Sequence, residues 1–140
     1  MQIKLKTIVE GYAEGEVLVS RTPISFLGDI DLKTSKIIAN DSNIRNKTIA
    51  GKILIMPRGR GSTVGSYVIY ALKKRNLAPS AIITVNPDPV IIVGCIISNI
   101  PSAIGIPHKY LNIIKSGYHA YFDGIRGVLV IEEKGCIHSY

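Results

Sequence analysis

The chain has 140 residues, 46% apolar and 19% charged, which fits one domain with a real core and excludes a disordered chain or a long coiled coil. A net charge of +7 admits acidic partners, phosphorylated metabolites, nucleic acid and anionic lipid as ligands. No block of five or more like charges occurs, so a solvated basic surface is the default reading for most of the Lys and Arg residues.

In chain order, Ile3 to Val9 alternates in part and predicts a first strand. Gly11 and Gly15 punctuate the chain, and Glu16 to Ser20 predicts a second strand. Pro23 to Asp31 predicts a loop that brings Ser25, Gly28, Asp29 and Asp31 close together. Lys36 to Ala39 predicts a short returning strand, and Asn40 to Lys47 is turn-rich. Lys52 to Met56 is mostly apolar, as in a strand covered on both faces, and Pro57 ends it. After the turn Arg58 to Thr63, Val64 to Arg75 predicts a helix with Val64, Val68, Ala71 and Leu72 on one stripe. Its last turn carries Lys73, Lys74 and Arg75, where cations suit the helix dipole, and Asn76 is a stop signal. Ala81 to Val85 predicts the next strand, completing a β-turn-α-β unit with parallel strands. Asp88 predicts an N-cap with Pro89 at the first helical position. Val90 to Ser98 then predicts a buried helix, although its β-branched content argues for a strand. Ala103 to Ile106 predicts a short strand, His108 to Lys115 a short helix or turn, and Gly127 to Glu132 a final strand. The sum is a single mixed α/β domain over residues 1–140, a mixed sheet flanked by helices.

Cys95 and Cys136 form no CxxC pair and no metal-ligand spacing with His108, His119 and His138, so no metal site is predicted. Free thiols in a reducing compartment are expected, with a disulfide between the two as the alternative. The start MQIKLKTIVEG lacks the apolar stretch of a signal peptide. Val90 to Ile104 is broken by Gly94, Asn99 and Pro101 before it reaches spanning length. The expectation is a cytoplasmic protein with no membrane segment.

The turn Arg58-Gly59-Arg60-Gly61-Ser62-Thr63 combines three features. Its glycines permit positive φ and close backbone approach. Ser62 or Thr63 lies at the helix N-cap, so unpaired N–H groups and the positive end of the dipole face one space. Arg58 and Arg60 add guanidinium forks suited to carboxylate or phosphate. Together these predict an anion site at a helix start; a plain cap with solvated arginines is the alternative. Sharper motifs fail: no Gly-Lys-Ser/Thr follows the glycines, G-x-G-x-x-G is broken at Val64, and G-x-S-x-G is unmet at Ser62 and Ser66.

The run Gly51 to Tyr67, GKILIMPRGRGSTVGSY, resembles the signature of the aconitase X swivel domain family. Pro23 to Asp31, Asn86 to Cys95 and Ile100 to Ala103 follow the family's general pattern. The resemblance implies a swivelling β/β/α fold and a much larger partner subunit. That partner would carry a [4Fe–4S] cluster and most of the substrate site. The implied reaction is dehydration of a small phosphorylated hydroxy acid, (R)-5-phosphomevalonate, to trans-anhydromevalonate 5-phosphate in archaeal isoprenoid synthesis. Ser62 matches the family's proton acceptor. Arg60, Gly61, Thr63, Arg58, Gly28 and Asp29 are the residues expected to meet substrate. Arg60 is the first candidate for a cation beside Ser62 and Arg58 the second. For Asp29 and Asp31, stabilising a turn is as good a reading as contact with substrate or partner.

A free serine is a very poor base. N–H groups at a helix start, the dipole and a guanidinium all favour its alkoxide, more so where water is excluded. Two scattered cysteines cannot hold a cluster that takes about four protein ligands, so the partner must supply it. Alternatives are a cis-3-hydroxy-L-proline dehydratase subunit, a non-catalytic phosphate- or nucleic-acid-binding module, and a phosphohistidine carrier. The binding module lacks basic residues interleaved with aromatics, and the carrier lacks a histidine on the turn. Alone, the chain is expected to be inactive and to expose the face that meets its partner.

Overall fold

A computed structural model describes residues 1–132; Cys136 and His138, and with them the disulfide alternative, lie outside the described residues. The strands are β1 (Gln2–Lys4), β2 (Lys6–Val9), β3 (Tyr12–Val19), β4 (Ile53–Met56), β5 (Ala81–Thr84), β6 (Ser102–Ile104), β7 (His119–Asp123) and β8 (Val128–Glu132). The helices are α1 (Gly65–Lys74), α2 (Pro89–Ser98) and α3 (Tyr110–Ile113).

The strands form one sheet in the order β1-β8-β7-β3-β4-β5-β6-β2. β3 joins its two halves. Tyr12 to Glu16 pair antiparallel with β7, and Val17 to Val19 pair parallel with β4. β4, β5 and β6 are parallel neighbours, as crossover helices require. β1 and β2 close the two edges, antiparallel to β8 and β6. Only Leu5 separates β1 from β2, so the edges meet and the sheet curls on itself, leaving few unpaired strand groups.

The central strands are buried on both faces. Val17, Val19, Ile53, Ile55, Ala81 and Ile83 pack inside the curl against Phe122 and Leu129. Leu18, Leu54, Met56 and Ile82 point the other way, toward α1, α2 and the long β3–β4 connection. This period-2 division explains why Ile53 to Met56 carries no polar residue. The result is the β/β/α layering and the mixed α/β fold expected from the sequence.

Both main helices end alike. Asn76 has φ 59° and Asn99 φ 53°. The N–H groups of Leu77 and Ile100 then return to the carbonyls of Leu72 and Cys95 at 2.9 and 3.0 Å, satisfying groups a helix end leaves open. Asp88 caps α2 by accepting from the N–H groups of Val90 and Ile91. That cap explains why a β-branched segment is helical.

Several elements depart from the sequence reading. Ile3 to Val9 is two strands, because the N–H of Leu5 turns to the carbonyl of Gly127 and each half takes a different neighbour. Lys36 to Ala39 makes only isolated bridges, Lys36 with Thr48 and Ile37 with Ile30. β3 begins four residues earlier than Glu16, at Tyr12. β7 was not anticipated, although Ala120 and Phe122 alternate inward along it. Val64 is not on the buried stripe of α1: it precedes the helix and is 45% exposed, and Ile69 takes its place. No helix among the described residues is long and apolar enough to cross a membrane.

Candidate active site

The glycine-rich turn leaves the C-terminal end of β4, where ligands of open parallel sheets characteristically bind. Three tethers fix it. Gly59 bridges Ile24: the N–H of Ile24 donates to the carbonyl of Arg58, and that of Arg60 to the carbonyl of Ile24, at 3.3 and 3.0 Å. The N–H of Gly59 donates to Asp88 Oδ2 at 3.0 Å. Arg60 reaches Asp29 Oδ2 through Nε at 3.1 Å and Nη2 at 3.0 Å, and grips both oxygens of Asp41 at 3.2 and 3.3 Å. Asp29 in turn accepts from the N–H of Ser25. The Pro23 to Asp31 loop therefore sits against the turn.

Gly61 has φ +88°, and a Cβ there would lie 2.8 Å from Ser25 Oγ, so glycine is required on both counts. Beyond it the chain is presented outward: Gly61, Ser62, Thr63 and Val64 are all exposed. Ser62 Oγ accepts from the N–H of Val64 at 3.1 Å. The carbonyls of Ser62 and Thr63 accept from Gly65 and Ser66 at 3.0 and 3.3 Å. Ser62 thus caps a tight lead-in turn, while α1 itself starts after Val64 without a side-chain cap. The N–H groups of Gly61, Ser62 and Thr63 find no protein acceptor among the described residues. Backbone donors left open just before a helix are groups that an anion can satisfy.

The arginines play different parts. Arg60 is committed to two carboxylates, whereas Arg58 makes only a 3.4 Å contact with the carbonyl of neighbouring Gly59, and no ion pair of it exists among the described residues. Asp29 stabilises the loop and anchors Arg60, and Asp31 accepts from the N–H of Lys33; in this chain both therefore serve turns. Gly28 is exposed with open space where a side chain would be. The hydrogen bond from Arg60 holds the Asp41 carboxyl below its usual value of 3.8. The sign follows: a depressed folded pKa gives a contribution that is full above 3.8 and lost as pH falls through the folded value. We expect an NMR titration of the Asp41 carboxyl carbon to give a midpoint below 3.8, and Arg60→Gln to return it toward that value.

Two residues matter that the sequence did not single out for the site. Asp41 is the second anchor of Arg60, with only long-range contact to reveal it. Asp88 was read as a cap alone, yet its other oxygen holds the turn. Asp88→Ala is expected to cost about 2 kcal/mol, the sum of a lost cap and a lost charge-assisted bond, read as a lower Tm.

An apolar cleft of about 370 Å³ adjoins the turn, lined by Thr63, Tyr67, Pro89, Val90, Val93 and Ile97. Tyr67 is 70% exposed, and Val93, Ile96 and Ile97 also stand outward along α1 and α2. Ser66 also lines the cleft; it is buried and donates to the carbonyl of Val90 at 2.6 Å, so it ties α1 to α2. His108 and His119 are exposed, His119 pairs with Glu14 at 2.8 Å, and neither shares a hydrogen bond with Ser62. No group of three or more His, Cys, Asp or Glu that fits a metal exists among the described residues. Cys95 is fully buried, and burial pushes its thiol up to about 12, the opposite of what a thiolate ligand needs. The described residues do not fit an iron–sulfur cluster.

Fold and site together define a swivel-type β/β/α domain that presents an exposed serine turn. The sequence profile of the aconitase X swivel domain matches residues 2–131; the chain belongs to that family. It is 49% identical over 135 residues to the phosphomevalonate dehydratase small subunit of Thermococcus kodakarensis, covering 96% of this chain and 99% of that one. It is 42% identical to the protein of the same name from Methanosarcina mazei, covering 96% and 94%. The crystal structure of Thermococcus kodakaraensis aconitase X in its holo form superposes with a TM-score of 0.89 at 48% identity, covering 95% of this chain and 99% of that one.

Proposed function

We propose that this chain is the small subunit of a two-subunit hydro-lyase that converts (R)-5-phosphomevalonate to trans-anhydromevalonate 5-phosphate in the cytoplasm, with Ser62 as proton acceptor. The observation that carries the reading is the Ser62 turn. Its hydroxyl receives an N–H bond and stands beside three free N–H donors, on a chain that matches phosphomevalonate dehydratase small subunits nearly end to end. In the reaction the carbon next to the carboxylate gives its proton to Ser62 Oγ as hydroxide departs from the neighbouring carbon. Ser62 then returns that proton to solvent. The Val64 N–H and the free donors favour the alkoxide that must accept it. Arg58, which makes no ion pair among the described residues, meets the substrate's phosphate or carboxylate. Arg60 acts through the turn, holding it on Asp29 and Asp41. Gly61 and Thr63 contribute backbone donors, and Gly28 and Asp29 frame the opposite rim.

The [4Fe–4S] cluster and the rest of the substrate site belong to the large subunit, which docks on the apolar α1–α2 face beside the turn. The names of the relatives favour phosphomevalonate over hydroxyproline or a nucleic acid. The test is to assay the complex with its large subunit on both acids: turnover of phosphomevalonate is expected, and preference for cis-3-hydroxy-L-proline would overturn the substrate assignment.

A further inference from the structure

A basic concavity shares no lining residue with the turn Arg58 to Thr63. A cleft of about 430 Å³ opens at the C-terminal end of β3, lined by Arg21, Lys47 and Lys115 together with Asn43, Asn112 and Ser116. No carboxylate lines it, and none of its three cations makes an ion pair among the described residues. Like charges converging on one concavity repel, and low-dielectric walls focus their field on whatever enters. The frame is hydrogen-bonded: Ser116 Oγ accepts from the N–H of Val19 at 3.0 Å. Asn43 accepts from the N–H of Arg21 at 2.8 Å and donates to the carbonyl of Val19 at 2.9 Å. The backbone of Lys47 is pinned to Ile37 and Ile44. The cations thus rise from a fixed frame, at the strand ends where parallel sheets bind ligands.

We propose that this cleft is a second anion site, separate from the Ser62 turn, for a small polyanion of the diphosphate class. Three cations and no acid match a ligand with several negative charges better than a monoanion. The volume exceeds what one phosphate fills. The segment that carries Asp41 to Arg60 also supplies Asn43 and Lys47 to the cleft, so a ligand there touches the same loop that braces the catalytic turn.

The test is a titration of the isotope-labelled full chain with pyrophosphate at constant ionic strength, followed by amide shifts. Saturating shifts are expected at Arg21, Lys47 and residues 111 to 116, with orthophosphate and sulfate weaker by about tenfold or more. Lys47→Gln/Lys115→Gln should weaken pyrophosphate by about tenfold or more, whereas Ser62→Ala should leave it unchanged. Shifts spread over the whole basic surface without saturation, equal response to sulfate, or binding untouched in the double variant would overturn the site. None of these outcomes bears on turnover, so this proposal fails or stands apart from the dehydratase reading.

Discussion

Ser62→Ala is expected to lower kcat of the two-subunit complex by about a thousandfold, the scale of losing a positioned proton acceptor, while the fold and the association with the large subunit persist. The side chain is exposed, and its one hydrogen bond is with the N–H of Val64. Losing that cap costs about 1 kcal/mol, too little to unfold a domain with two buried clusters. KM should change little, because the N–H donors of Gly61, Ser62 and Thr63 belong to the backbone and remain. Ser62→Thr keeps a hydroxyl and should retain part of the rate. A fall in Tm or in association that matches the fall in kcat would make Ser62 a structural cap and nothing more.

The largest effect on stability is expected at Gly94. α1 and α2 cross closely there: a methyl at Gly94 would lie 2.6 Å from Ile69 Cδ1 and 3.2 Å from its Cβ. The terminal methyl can rotate aside, but the Cβ moves only with the helix. Gly94→Val therefore forces the helices apart, at about 3 kcal/mol, or roughly 10 °C in Tm for a domain this size. Because α2 begins at Asp88, which holds Gly59, the displacement should also loosen the Ser62 turn and lower kcat. Ile69→Ala removes Cδ1 and Cγ1, at 2.6 and 3.3 Å, and keeps only Cβ, so it relieves part of the clash and the double variant should be more stable than the sum of the single losses predicts. Simple additivity, measured by thermal or urea unfolding, would show that the two helices do not meet as described.

Much of this architecture is local and was readable. Lys52 to Leu72 announces itself by an apolar strand, a proline, a glycine-rich turn and an amphipathic helix, and Asp88-Pro89 outweighs the β-branched run behind it. What escaped depends on contacts across the chain. The break at Leu5 follows from its bond to Gly127, and a strand that serves two halves of a sheet has no mark of its own in Tyr12 to Val19. The two arginines look equivalent in sequence. Only the fold brings Asp29 and Asp41, 31 and 19 positions away, onto Arg60 and leaves Arg58 open. The same holds for Asp88, whose cap was legible and whose bond to Gly59 was not.

The Ser62 turn is exposed, braced on three sides and flanked by an apolar cleft; under the proposed function it is a half-site that closes against the large subunit. The N–H groups of Gly61, Ser62 and Thr63 have no acceptor within the described chain. The most direct measurement is anaerobic turnover of phosphomevalonate by the cluster-loaded large subunit alone, with this chain, and with its Ser62→Ala variant. The expected result is turnover with the wild-type chain, a rate about a thousandfold lower with the variant, and none with the large subunit alone. Wild-type turnover by the large subunit alone, or by the complex with Ser62→Ala, would contradict it.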